Sequence, residues 1–165
     1  MMTIRPLHQN ADTALVADLF HRAADYILLE SGRPPGDAEV QDFFTGAPPG
    51  TDPAKSLHRG LFAPDGHLIA MAAVVFGFPN PDDAYLGLLL IDPAHRGKRL
   101  GQQMLDHICA AAKTQGAHRI LIAVLEENTK GHRFWSKMGF TEEMRGAPKQ
   151  IGDKIHVQIR MTRPL

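Results

Sequence analysis

The chain contains a single cysteine, Cys109, among 165 residues. That excludes an internal disulfide framework and fits a reducing compartment. Neither sign of charge is in excess, with 18 Lys+Arg against 18 Asp+Glu. Such a balance gives no global attraction to nucleic acid or to an anionic membrane, so any polyanion has to be met locally. No apolar run approaches the roughly 20 residues that span a bilayer. The opening "MMTIRPLHQN" lacks the basic-then-apolar pattern of a signal peptide. A cytoplasmic protein with no membrane or nucleic-acid partner is the expectation. The nine histidines show neither H-x-x-x-H nor Cys/His ligand spacing, so no metal site is expected. There is also no G-x-S-x-G to supply a serine nucleophile.

What is present is a core. Hydrophobic residues make up 44% of the chain, and the length fits one domain over residues 1–165. "TIRPL" reads as a first strand. Asp12 is placed to cap a helix whose Leu15, Leu19, Ala23, Tyr26 and Ile27 share a face. Residues 30–54 carry Pro34, Pro35, Pro48, Pro49 and Pro53, leaving room for one short helix over 37–44. "SLHRGLFA", "PDG" and "HLIAMAAVVFGF" form a hairpin pattern, because Asp-Gly between apolar runs is a turn signal. "AYLGLLLI" is apolar on both faces, as in a central covered strand. From Leu100 the period changes to a helix ending near Gly116. "RILIAVL" is a second buried strand, residues 129–138 read as a helix, and "KIHVQIRMT" closes the chain as a strand. The order predicts an α/β fold with a mixed sheet.

Residues 91–101, "IDPAHRGKRLG", place two arginines, a lysine and two glycines between a buried strand and a helix. The unpaired N–H groups of a first helical turn bind anions, and glycine lets a phosphate approach the backbone. Arg96, Lys98 and Arg99 add local positive charge, which points to a phosphate or pyrophosphate. Two familiar phosphate loops do not fit. Asp92 stands where a Walker loop needs glycine, and the G-x-G-x-x-G pattern is absent.

"RGKRLG" resembles the pyrophosphate loop [Q/R]-x-x-G-x-[G/A] of the GNAT superfamily of acyl-CoA-dependent N-acyltransferases. Arg96 takes the first position and Gly101 the last, while Arg99 stands where the middle glycine is usual. A φ below zero at position 99 would accommodate the arginine. "VLEENTKGHRFWSKMGF" resembles the family's later segment through Asn128, Gly131, Phe134, Trp135, Gly139 and Phe140. The likeness extends over nearly the whole chain except residues 30–54.

The resemblance implies a mixed, mostly antiparallel central sheet flanked by helices, with a splayed strand pair holding the pantetheine arm. It implies acetyl-CoA as co-substrate, held by Leu89, Leu90, Ile91, Arg96, Gly97, Lys98, Arg99, Leu100, Gly101, Asn128, Gly131, Phe134 and Trp135. Gly87 is expected to mark a bulge or close backbone approach. An amine, on a small molecule or a peptide, would attack the thioester directly in a ternary complex, and a homodimer stays open. The family often carries a tyrosine acid where this chain has Trp135, whose indole has no proton of useful acidity.

Several roles stay open at this level. Tyr85 is a candidate proton-relay group or a sheet-packing residue, grouped on one strand face with Gly87, Leu89 and Ile91. Glu126, with Glu127, is a candidate base or a plain surface carboxylate. Glu30, Asp37, Glu39, Asp42 and Asp52 line an acidic segment suited to a cationic amine, or form an acidic surface loop. A CoA-binding sensor with little turnover is the alternative to an enzyme.

Overall fold

The computed structural model describes residues 1–165. Strand β1 (Thr3–Pro6) leads into helices α1 (Gln9–Arg22), α2 (Ala24–Ser31) and α3 (Asp37–Thr45). Strands β2 (Leu57–Phe62), β3 (Leu68–Phe76) and β4 (Asp83–Ile91) follow, then α4 (Leu100–Thr114) and β5 (Arg119–Leu125). Helix α5 (Thr129–Lys137) precedes β6 (Thr141–Arg145), β7 (Lys149–Ile151), β8 (Lys154–His156) and β9 (Gln158–Pro164). Seven strands form one sheet in the order β1-β2-β3-β4-β5-β9-β6, with β7 and β8 a separate hairpin.

Every neighbouring pair in the large sheet is antiparallel except β4 and β5. Those two pair only from Asp83–Tyr85 to Arg119–Leu121 and then part. The expected splayed pair is therefore present. Arg119 fastens its closed end, donating to both oxygens of the buried Asp83 at 2.8 and 3.0 Å.

Two apolar layers cover the sheet. The apolar stripe of α4 buries Leu100, Met104, Leu105, Ile108, Cys109 and Ala112 against Ala70, Ala72, Val74, Leu86, Ile120 and Ile122. Full burial of one such large aliphatic side chain contributes roughly 1.5–3 kcal/mol. On the opposite face, Val16, Leu19 and Phe20 of α1 and Val40, Phe43 and Phe44 of α3 pack on Leu68, Met71 and Leu90. The segment 30–54 thus contains a helix that belongs to the core.

Three local expectations are revised. Helix α1 starts at Gln9 with His8 as its N-cap, so Asp12 lies a turn inside rather than at the cap. It still serves the helix end: Asp12 accepts the His8 N–H at 2.8 Å and two bonds from Arg5 at 2.9 and 3.1 Å. The single helix expected through Ile27 breaks at Ala23, whose φ of −102° and ψ of 32° turn the chain into α2. Residues 154–162 divide at Val157 into β8 and β9. Strands β6 and β7 went unread because their residues are mostly exposed and carry no apolar alternation.

Candidate active site

Gly87 creates the geometry at the centre of the sheet. Ala73 pairs with Leu88 and Val74 with Leu86, so β4 carries one extra residue, Gly87, as the expected bulge. An extra residue reverses the alternation of side chains beyond it. Leu86, Leu89 and Ile91 consequently pack toward α4, whereas Leu88 and Leu90 face α1. Tyr85 does not share a face with Leu89 and Ile91, which corrects the grouping expected from an unbroken strand.

Past Tyr85, the edge of β4 turned toward β5 has no strand partner. The gap is a cleft of about 420 Å³, floored by Leu86 to Ile91 of β4 and Ile122 to Val124 of β5. Asn128, Lys130, Gly131, Phe134 and Trp135 of the α5 segment form one wall, and Asp25, Tyr26 and Leu29 of α2 form the other. Arg96 and Gly101 close its end. Nine of the expected binding residues therefore meet here: Leu89, Leu90, Ile91, Arg96, Gly101, Asn128, Gly131, Phe134 and Trp135.

Gly97, Lys98, Arg99 and Leu100 lie outside the cleft lining, in the turn beyond its end. Asp92 shapes the start of this turn. It is buried, accepts the Ala94 N–H at 3.0 Å, and is paired with Arg22 of α1. Gly97 has a φ of 77°, and the first intrahelical bond of α4 runs from the Gln103 N–H to the Arg99 carbonyl. The backbone N–H groups from Gly97 to Gln102 find no backbone acceptor. Unpaired donors at a helix start, beside three basic side chains, suit an anionic ligand.

Arg99 departs from expectation. It adopts φ 61° and ψ 17° and is the sole non-glycine residue of the chain with positive φ. The family's usual glycine suits this left-handed conformation, and the arginine occupies it at a cost of about 1–2 kcal/mol.

The small residues have identifiable reasons. A Cβ on Gly101 would stand 3.1 Å from the Phe134 ring, so α4 and α5 meet closely there. A Cβ on Gly131 would stand 2.5 Å from Asn128 Nδ2. Asn128 caps α5 by accepting the Gly131 N–H at 2.9 Å through Oδ1. Its side-chain NH2 remains available as a donor. Trp135 packs edge-on against both Phe134 and Phe140, with ring centres 4.9 and 5.2 Å apart.

A second, smaller cavity of about 190 Å³ lies on the α1 side of β4. Its walls include Phe20, Ile27 and Phe43 as apolar surface, with Glu30, Glu39, Asp42 and His58 as polar groups. Tyr26, Gly87 and Leu88 line both cavities, so the two adjoin at the bulge. Asp37 and Asp52 do not reach it. Burial pushes the Glu30 carboxyl above its usual range, and burial holds the His58 imidazole below its own. No lysine or arginine lines this cavity.

The two candidate catalytic residues do not line either cavity. Tyr85 is packed edge-on against Phe78 at 5.4 Å, near the closed end of the strand pair. Glu126 is exposed and bonded to Arg145 at 2.7 Å on the surface. Sequence reasoning overlooked Tyr26 as a site residue because it fell on the apolar face of a helix. Its spacing of four from Glu30 was the available signal, and the hydroxyl donates to that carboxylate at 3.2 Å.

This architecture defines an acyl-CoA acyltransferase-like fold, and the sequence agrees. The model of the acetyltransferase (GNAT) family matches residues 18–140, and the chain belongs to that family. An acetyltransferase from Thermus thermophilus superposes with a TM-score of 0.81 at 25% identity, covering 100% of this chain and 97% of that one. A GCN5-related N-acetyltransferase from Kribbella flavida shares the fold, with a TM-score of 0.74 at 19% identity over 99% of this chain and 98% of its own. An uncharacterized N-acetyltransferase of Mycobacterium tuberculosis is 27% identical over 90 residues, which is 54% of this chain and 55% of that relative. The match thus spans about half the length of that protein. No helix is long and apolar enough to cross a membrane.

Proposed function

We propose that the protein transfers an acetyl group from acetyl-CoA to a primary amine by direct attack in a ternary complex. The observation that carries this reading is the junction of two cavities at the Gly87 bulge. The larger cleft ends at unpaired N–H groups and basic side chains suited to a pyrophosphate. The smaller one carries acids without counter-cations, suited to an ammonium group.

In this reading the pantetheine arm lies along the unpaired edge of β4 and bonds the backbone of Leu89 and Ile91. Asn128 donates to the same arm, and the α5 segment with Phe134 and Trp135 packs along it. The pyrophosphate sits at the turn from Arg96 to Gly101, where Gly97, Lys98, Arg99 and Leu100 contribute backbone N–H groups or charge. A β4 backbone N–H at the splay stabilises the tetrahedral oxyanion, an effect worth roughly 3–4 kcal/mol. Holding amine and thioester in contact supplies much of the remaining acceleration. Trp135 donates no proton to the departing thiolate. Glu30, Glu39 and Asp42 receive the cationic acceptor.

Thermal unfolding with and without acetyl-CoA tests the donor half. Ligand at 100 times its Kd adds about 2.7 kcal/mol. Release of free CoA that depends on an added amine tests the transfer. Stabilisation by acetyl-CoA with no transfer to any class of amine would favour the binding-sensor alternative instead.

A further inference from the structure

The reaction has to remove a proton from the acceptor ammonium before nitrogen can attack, and neither Tyr85 nor Glu126 lines either cavity, although Tyr85 lies near enough to act on the Tyr26 phenol. Only two tyrosines exist in the chain, Tyr26 and Tyr85. Tyr26 lines both cavities where they adjoin, and its hydroxyl donates to Glu30 Oε2 at 3.2 Å inside the smaller one. That orientation turns the hydroxyl hydrogen toward the carboxylate and leaves the oxygen free to accept from a group at the junction.

We propose that Tyr26 and Glu30 form the proton relay of the acceptor amine. The Tyr26 oxygen accepts a proton from the ammonium while its own hydrogen passes to Glu30, so tyrosine carries no net charge at any stage. The freed nitrogen lone pair forms the C–N bond at the thioester carbonyl, and the carbonyl π electrons move onto oxygen. When that oxyanion collapses, the C–S bond breaks and sulfur keeps the electron pair. The thiolate takes the second proton from the new ammonium-like nitrogen. Glu30 then returns its proton to solvent. One ammonium and one thioester give one amide, one thiol and one released proton. The relay rests on the acyltransfer reading above.

The surroundings suit these roles. Burial is the main cause that raises the Glu30 carboxyl, with Asp42 and Glu39 of α3 adding to it, while the Tyr26 hydrogen bond and His156 of β8 oppose it. A carboxylate raised toward neutrality is a better base than a free one. Burial first, then the charge and hydrogen bond of Glu30, with Tyr85 of β4 adding to them, holds the Tyr26 phenol well above its usual range, so the hydroxyl keeps its hydrogen throughout an ordinary assay. Helix α2 itself is anchored from below, because His156 Nε2 lies 3.1 and 2.8 Å from the Leu29 and Glu30 carbonyls.

The experiment compares wild type, Tyr26→Phe and Glu30→Gln over pH, using primary amines graded in basicity. Acetyl-CoA binding and melting temperature are recorded alongside as measures of folding. Glu30→Gln is expected to lower kcat/KM for strongly basic amines by roughly 10²–10⁴-fold. Its acidic limb should move up toward the ionisation of the free amine. The deficit should shrink for amines already neutral at the assay pH, which a merely structural role would not produce. Tyr26→Phe should change the profile in the same direction. A uniform loss across all amines, or an unchanged acidic limb in a folded variant, would overturn the relay while leaving the acyltransfer reading intact. Wild type that acylates no amine would overturn both.

Discussion

Arg96 donates to both oxygens of the Asp25 carboxylate, at 2.6 and 3.1 Å, and so joins the turn before α4 to α2. The same arginine donates to the Ile91 carbonyl at 3.2 Å, at the end of the splayed strand. The hydrogen bond from Arg96, opposed by burial, holds the Asp25 carboxyl below its usual range. A pyrophosphate at the turn would meet Arg96 already engaged by an anion. Both side chains are well exposed, so their attraction is weakened by solvent. Asp25→Asn is therefore expected to tighten acetyl-CoA binding by at most about fivefold, an effect that fades in high salt. Calorimetric titration at two ionic strengths checks it, and weaker binding by the variant would mean that Asp25 orients Arg96 for the ligand.

Arg99 holds a backbone conformation that glycine adopts freely. Arg99→Gly should raise stability by about 1 kcal/mol, or about 2–4 °C in Tm for a chain of this size. The same change removes a positive charge from the turn, so affinity for acetyl-CoA should fall slightly. Scanning calorimetry of the ligand-free variant reads the first effect and titration the second. A lower Tm would refute strain at this position.

The fold was legible where a segment is covered on a face whose pattern survives in the sequence. The α4 stripe from Leu100 to Ala112 and the apolar β4 run are examples. Asn128, Gly131 and Phe134 were legible through their likeness to the family's later segment, and all three line the cleft. Tyr26 was not, because an apolar helical face and a cavity wall read alike until the partner surface is known. Gly87 in an apolar strand signals a bulge or a close backbone approach, but only the strand pairing shows that the bulge moves Tyr85 to the face opposite Leu89 and Ile91. Glu126 looked eligible because it ends a buried strand, while its partner Arg145 lies on a strand that carries no sequence signal.

Phe134 lies against Gly101 with no room for a methyl group to enter without displacement. Gly101→Ala should weaken acetyl-CoA binding by shifting the Phe134 ring and tilting α5 from the cleft. Gly101→Glu should abolish binding, since it adds a negative charge at the turn proposed to hold the pyrophosphate. Thermal shift with millimolar acetyl-CoA distinguishes the series, and an undiminished shift for Gly101→Glu would place the phosphates elsewhere.

The Arg5 hydrogen bond, opposed by burial, keeps the Asp12 carboxyl below its usual range. A depressed folded-state pKa contributes stability above the unfolded value of about 3.9, and that contribution is lost as pH falls through the folded value. Tm should thus change little from pH 7 to 5 and drop below about pH 4. Asp12→Asn should cost stability at pH 7 and much less at pH 3. An equal cost at both values would assign the loss to packing.

The pH–rate profile reports on the thiolate. Trp135 cannot ionise, and Tyr26 stays protonated beyond the ordinary tyrosine range. Activity should rise with pH and then stay level to about pH 10. Burial raises the Tyr85 phenol as well, so a descending limb above that range that disappears in Tyr85→Phe would give the acid role to Tyr85.

In the proposed reaction, donor and acceptor meet at the Gly87 junction and react without an acyl-enzyme. Initial rates over a matrix of acetyl-CoA and amine concentrations, with N-acetyl product and free CoA measured together, separate direct transfer from a ping-pong route. Direct transfer gives intersecting double-reciprocal lines, one CoA released per amide formed, and no acetyl group retained by the protein. Parallel lines with an acetylated protein in the absence of amine would contradict it.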